Sequence, residues 1–251
     1  MRPVEREQGL RSRIEALEAE LALRVEEARE KELQLQRYAA DLRETFMEER
    51  SRSEQLRHSY TLTVRALASA VEARDAYTGR HAERVAAYGL ALGEVYGMRL
   101  GDDPQIEFGF LLHDVGKVAV PDAILFKPGP LTAAERLVMQ QHPTTGSEIV
   151  RDIEFLGAAR DVIRSHHERW DGTGYPDKLA GEDIPLAARV FAVADTLDAL
   201  TSERPYRRAS TLAEARAIID EGDGTHFDPD VIDVFRELPD EALERIRLEI
   251  G

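Results

Sequence analysis

Between Leu10 and Thr78 the chain carries neither glycine nor proline, and the helix formers Glu, Ala, Leu, Arg and Gln dominate. At about 1.5 Å per residue this stretch suits a single helix of roughly 100 Å. Apolar residues recur every seven positions along it, at Ile14, Leu21, Ala28, Leu35, Leu42 and Leu56, with Glu49 breaking the series. A companion row is sound at Leu10 and Leu17, fails at Arg24 and Lys31, and returns weakly at Tyr38. A seam that drifts in this way predicts a coiled coil with a register shift near Leu21–Val25. A lone polar helix of this length buries too little to be stable. Residues 1–57 are therefore expected to form a parallel dimeric coil for signalling or dimerisation. The alternative is a single solvated helix or a frayed arm.

Near Leu62 the polar helix becomes apolar, with Val64, Leu67, Ala68 and Val71 at helical spacing. That change predicts entry into a globular core, which assigns residues 58–251 to one domain with no flexible linker before it. Tyr77-Thr78-Gly79 is expected to end or bend the helix just ahead of His81. The rest reads as helices of about 10 to 20 residues joined by Pro/Gly loops. Thr132–Glu135 and Thr211–Glu214 fit the capping box and mark two helix starts. Val118–Val120 is the one short β-like run, cut off at Pro121. The expected fold class is all-α.

Composition narrows the chemistry. The chain has 251 residues and no cysteine, so disulfides, zinc–thiolate sites and iron–sulfur clusters are excluded. Any metal must sit on nitrogen and oxygen. No run of about 18 apolar residues and no charged-then-apolar leader is present, so a soluble, cytoplasmic protein without a membrane span is expected. The net charge of −15 argues against a general DNA or anionic-membrane binder. Residues 1–57 carry 12 basic and 14 acidic groups and the remainder 21 and 34, so the acidic excess lies in the globular part. An anionic substrate there would need local cations, either metals or placed arginines. Arginine outnumbers lysine 29 to 4, yet Lys117, Lys127 and Lys178 all lie in or beside the segments described next.

His113-Asp114 follows the apolar run Phe108-Gly-Phe-Leu-Leu112, and Asp195 follows Val190-Phe-Ala-Val-Ala194. A carboxylate buried in either place is costly unless it is paired or binds a metal. One alternative is a structural ion pair between each aspartate and an arginine. Five histidines in apolar contexts, His81, His113, His142, His166 and His167, favour metal instead. These five imidazoles and two carboxylates exceed the needs of one site. A bridging aspartate between two ions about 3.5–4 Å apart would use them all and suit displacement at phosphorus by a bridging hydroxide.

His113-Asp-Val-Gly-Lys117 and His166-His-Glu-Arg-Trp-Asp-Gly-Thr-Gly-Tyr-Pro176 resemble the HD-GYP subgroup of the HD phosphohydrolases. The likeness extends to Tyr77–His81, His142–Gly146, Ala194–Leu200, Arg204–Arg207 and Phe227–Pro229, in order, over about residues 60–235. An HD pair alone would carry little; the ordered series is specific. The resemblance implies an HD-type helical bundle that hydrolyses cyclic di-GMP to pGpG, with a second cleavage to GMP left open. Alternatives are another cyclic dinucleotide such as 3′,3′-cGAMP, a guanosine polyphosphate, or a non-catalytic module that binds a nucleotide or a partner. It further implies that His81, His113, Asp114 and Asp195 hold one ion, with Asp114 bridging to a second on His142, His166 and His167. Iron or manganese is expected, with zinc, nickel or cobalt as alternatives. Lys117 would meet the scissile phosphate, and Arg204 and Arg207 would grip the substrate phosphates.

Some members of the subgroup carry a glutamate four residues before the first histidine, for a third ion. Here that position is Tyr77, with Asp75 displaced by two, so a binuclear site is expected. Gly172 and Gly174 suit a tight turn. Glu168 and Asp171 either orient ligating imidazoles or cap a helix end or turn. Asp198 falls in the Ala194–Leu200 segment as a supporting residue. Trp170 and Tyr175 are assigned to loop packing before guanine binding, and His58 and His226 to surface or packing roles. The expected partners are cyclic di-GMP, a second copy through the coil, and an upstream sensor domain or a diguanylate cyclase. The unbroken helix toward His81 suggests that movement of the coil could bias the site.

Overall fold

The computed structural model describes residues 3–74, 80–98, 100, 104–203 and 208–250. The chain divides into two compact units, Met1–Ser59 and Tyr60–Gly251. Helix α1, Pro3–Glu72, supplies the described part of the first. There its side chains are exposed from Gln8 to Ser59, including Leu10, Ile14, Leu17, Leu21, Leu35 and Leu42. Pairs one turn apart, such as Glu20–Arg24 at 2.7 Å and Arg50–Glu54 at 3.0 Å, line its surface. Exposed pairs of this kind add only about 0.3–0.5 kcal/mol each.

The second unit is a helical bundle. The end of α1 enters it as the apolar change near Leu62 implied: Val64 and Ala68 are buried, and the Tyr60 ring stacks on Phe155 at 4.2 Å. Then follow α2 (His81–Tyr96), α3 (Gln105–Leu111), a 3-10 turn (Val115–Ala119), α4 (Asp122–Leu125), α5 (Ala133–Met139), α6 (His142–Ile149) and α7 (Gly157–Ser165). Beyond them lie α8 (Leu186–Thr201), α9 (Leu212–Asp220), α10 (Pro229–Glu237) and α11 (Asp240–Ile250). Helix α2 packs on α8 and α3, α3 on α7, and α6 on both α7 and the 3-10 turn. Phe108, Phe110, Leu112, Ile163, Phe191 and Leu197 fill the space between them, fully buried.

Both capping boxes form. Thr132 and Glu135 start α5, and Thr211 and Glu214 start α9, each with reciprocal side-chain and backbone bonds. No strand occurs among the described residues, only an isolated bridge between Asp223 and Phe227. The β-like Val118–Val120 is instead the end of the 3-10 turn, with Val120 extended after it. The N–H groups of Lys117 and Val120 are already taken by the Asp114 and Lys117 carbonyls, and Pro121 has none to offer a ladder. The Tyr77–Gly79 break lies outside the described residues, between the end of α1 and the start of α2. No helix among the described residues is long and apolar enough to cross a membrane.

Candidate metal centre

Three histidines lie just beyond three helix ends, and one of them, His142, also begins α6. His113 follows α3, His142 follows α5, and His166 closes α7. The last carbonyls of a helix have no partner within it. Each of these histidines takes one: Nδ1 of His113 donates to the Phe110 carbonyl, that of His142 to Met139 and that of His166 to Ile163, all at 2.8 Å. A carbonyl can only accept, so Nδ1 carries the proton and Nε2 is turned inward. His81, in the first turn of α2, is oriented by a carboxylate. Its Nδ1 lies 2.7 Å from Asp198 Oδ2, and Arg84 Nε donates to Asp198 Oδ1 at 2.6 Å. Burial would raise the Asp198 carboxyl, but His81 and Arg84 outweigh it and hold the group below its ordinary range.

The inward nitrogens converge on two groups. His142, His166 and His167 form one, and His81, His113 and Asp195 the other; within each group one ligand atom per residue lies within 4.8 Å of the rest. Asp114 stands between them. Its Oδ1 lies 3.2 Å from His142 Nε2 and 4.0 Å from His166 Nε2, while its Oδ2 lies 3.1 Å from His113 Nε2. Lys117 Nζ approaches the same Oδ2 at 2.8 Å, and His81 Nε2 faces Asp195 Oδ1 at 3.4 Å. All seven sequence-derived metal candidates therefore meet at one place. Arg204 and Arg207 lie outside the described residues, as do Tyr77 and Asp75 of the third-ion comparison.

The electrostatics suit cations. Burial, then the neighbouring His167 and His142, push His166 well below its ordinary pKa. Burial and His142 bring His167 down to about 3. Both rings are thus neutral near pH 7, with lone pairs available. Burial alone would raise Asp114, but Lys117 and His113 outweigh it and hold the carboxyl well below the usual range. His166 Nε2 sits 3.1 Å from His142 Nε2 although both Nδ1 atoms already donate elsewhere. Two inward nitrogens at that distance need a positive centre between them, a shared proton or a metal ion. The nitrogen–oxygen donor set fits a divalent transition metal. HD-domain phosphohydrolases are metal-dependent, and these groups are where such ions could sit.

The two aspartates are less enclosed than the apolar runs around them suggested. The side chains of Asp114 and Asp195 keep 22% and 31% of their exposure. They border a cavity of about 340 Å³ lined also by His81, His113, Lys117 and His167, and by Ala68 and Glu72 from α1. The buried aspartates paired with arginine are others: Asp198 with Arg84, and Asp228 with Arg189 at 2.5 Å. Asp228 also caps α10, which gives the Phe227–Pro229 segment a structural task. Neither Arg84 nor Arg189 stood out in the sequence. The available signal for Arg84 was its place one turn after His81, on the same helix face.

Two glycines let these pieces approach. At Gly116 a Cβ would overlap the His142 carbonyl oxygen and lie 2.6 Å from the Gly146 nitrogen. Only a bare backbone there allows the turn carrying Asp114 to rest on α6. At Gly174 a Cβ would lie 2.5 Å from the Arg169 nitrogen, so the Gly-Tyr-Pro loop lies directly on the His167–Arg169 backbone. Gly172, at φ 74, makes the turn itself. Glu168 anchors the loop instead of orienting an imidazole: its buried carboxylate accepts the N–H groups of Asp177, Lys178 and Leu179 at 2.7–3.1 Å. Asp171 likewise caps the turn, accepting from the Thr173 N–H and hydroxyl. Tyr175 lies over His167, with ring centroids 4.7 Å apart. Trp170 packs under the Arg189 guanidinium, 5.8 Å away. His226 is half-buried and stacks on Phe227 at 4.2 Å.

Comparison with known proteins agrees with this geometry. A family model described as HD domain matches residues 65–231. A 3′3′-cGAMP-specific phosphodiesterase of Vibrio cholerae is 41% identical over 190 residues, covering 75% of this chain and 36% of that protein. A cyclic di-GMP phosphodiesterase response regulator of Xanthomonas campestris is 43% identical over 173 residues, covering 68% of this chain and 46% of its own. The chain thus spans less than half the length of these relatives. A solved cyclic GMP-AMP-specific phosphodiesterase of V. cholerae shares the fold, with a TM-score of 0.51 at 21% identity over 73% of this chain and 53% of that one. With His113-Asp114 at the meeting point of both histidine groups and Gly174-Tyr-Pro176 laid against His167, the chain belongs to the HD domain family, in its HD-GYP form.

Proposed function

We propose that this chain is a metal-dependent phosphodiesterase that hydrolyses cyclic di-GMP to pGpG. The observation that carries the reading is the position of Asp114, whose two oxygens face two separate histidine groups. His81, His113 and Asp195 would hold one divalent ion and His142, His166 and His167 a second, with Asp114 shared; iron or manganese suits the donors. Bound ions supply Lewis acidity and lower the pKa of water, which phosphodiester cleavage at neutral pH requires.

The chain's own groups do the remainder. Four imidazoles are held to one tautomer by their Nδ1 partners, so their Nε2 atoms need no reorientation. Lys117, at the border of the cavity, brings a compact ammonium to a strongly acidic domain and would neutralise the scissile phosphate. Arg204 and Arg207 would add bidentate phosphate contacts. A cavity of about 340 Å³ lies within the common range of ligand pockets, roughly 300–1,000 Å³. Residues 1–57 would join two copies as a coil, and residues 58–251 would carry the site. A second substrate reading, 3′,3′-cGAMP, is favoured by the V. cholerae relative's specificity.

Purified protein loaded anaerobically with iron or manganese, mixed with either dinucleotide and resolved by chromatography, tests both readings. Linear pGpG from cyclic di-GMP is expected. Binding without turnover in every metal would make the chain a non-catalytic module. Asp114→Asn keeps the side-chain shape but removes the shared charge, and should lose both metal and turnover. Full activity in that variant would sink the assignment.

A further inference from the structure

Glu72, the last residue of α1, accepts a hydrogen bond on Oε1 from the Ala82 backbone N–H at 2.5 Å. Helix α2 needs this acceptor. Its N-cap, Arg80, lies in the left-handed region at φ 58, and no side-chain capping bond comes from it. The first N–H groups of a helix lack partners within it, and the positive end of its dipole favours an anion. Glu72 supplies both from a different helix.

The capped residue adjoins His81. The His81 side chain is held from α8, by Asp198 at 2.7 Å, and its Nε2 faces Asp195, also on α8, at 3.4 Å. The backbone beside it is held from α1. Glu72 also borders the cavity that His81, His113 and Asp195 line. A displacement of the last turn of α1 relative to α2 would therefore act on the ring that α8 restrains from the other side.

We infer that Glu72 is a positioning residue, tying the start of α2, and with it the His81 imidazole, to the end of α1. The placement of α1 then governs how well the His81–His113–Asp195 group binds a cation. This rests on the proposed reading of that group as a metal site.

Cobalt titration of the full, metal-stripped chain, followed by visible absorption and calorimetry, tests the link. Glu72→Ala removes the acceptor, whereas Glu72→Gln keeps an amide oxygen that can still accept from Ala82. In Glu72→Ala, one class of cobalt sites should weaken by about 10–100-fold while the other is retained. Glu72→Gln, which keeps the acceptor, should hold wild-type affinity at both classes. Wild-type affinities in Glu72→Ala would overturn the inference. Equal loss in Glu72→Gln would make the charge, and not the cap, the relevant feature, and would overturn it too. Equal weakening of both classes with a lower melting temperature would mark a general structural role. Absence of cobalt binding by the wild type would overturn the metal reading itself, a result distinct from each of these.

Discussion

A histidine becomes a ready ligand only when one nitrogen is committed elsewhere, and here that commitment is visible residue by residue. Phe110, Met139 and Ile163 use their carbonyls for it, and Asp198 uses its carboxylate. None of these partners could be chosen from residue type alone, because every helix end offers carbonyls. The seven candidate ligands were legible, since imidazoles and aspartates inside apolar runs demand an explanation. Which aspartates would take an arginine was not: Asp198 and Asp114 both follow hydrophobic stretches, and only the neighbouring Arg84 and Lys117 separate their roles. His226 yields a prediction at this scale. Burial, then nearby Arg169, lowers its pKa from 6.5 to about 4. A depressed histidine stabilises the fold fully above its unfolded pKa, and the contribution is lost as pH falls toward the folded value. Denaturant unfolding should therefore show stability falling between pH 6.5 and about 4, with a shallower slope in His226→Gln. An unchanged slope would mean that the ring titrates as it does in the open chain.

At the scale of elements, the site is assembled from helix ends. The last turns of α3, α5 and α7 each hold the histidine three residues beyond one of their carbonyls, where backbone carbonyls are unpaired and a side chain can use them. The capping boxes that start α5 and α9 were readable because their partners lie three residues apart. The loop after α7 was only half readable. Its glycines announced a turn, but the anchor of the segment returning from that turn, Glu168, acts on backbone groups 9 to 11 residues ahead. Removing that carboxylate leaves three inward N–H groups without their acceptor, at about 1–3 kcal/mol for a buried group left unsatisfied. Glu168→Ala should speed amide exchange at Asp177, Lys178 and Leu179 and lower stability by that order. Unchanged protection at those amides would show that the loop holds itself.

At the scale of the whole molecule, two separable units yield two separable predictions. The first unit exposes Leu10, Ile14, Leu17, Leu21, Leu35 and Leu42 along one helix, a pattern that calls for a partner. By light scattering the full chain should be dimeric and a chain lacking residues 1–55 monomeric; an equal number of chains per particle in the two would refute the coil. The second unit concentrates carboxylates and neutral imidazoles around one cavity. Ions bound there at a hundredfold excess over Kd would add about 2.7 kcal/mol. Chelation should therefore lower the melting temperature by several degrees, and re-addition of manganese or iron should restore it. The all-helical class, two helix starts, the long N-terminal helix and the seven candidate metal-binding residues were legible in the sequence alone, because each depends on local spacing or on the cost of burying one residue type. The distances at which the two oxygens of Asp114 meet the candidate groups, the anchors that fix the histidine tautomers, and the link from Glu72 to the start of α2 were decided only in the tertiary structure. They join atoms from five or more segments, and no local pattern along a chain specifies which distant carbonyl, carboxylate or N–H will be the one in reach.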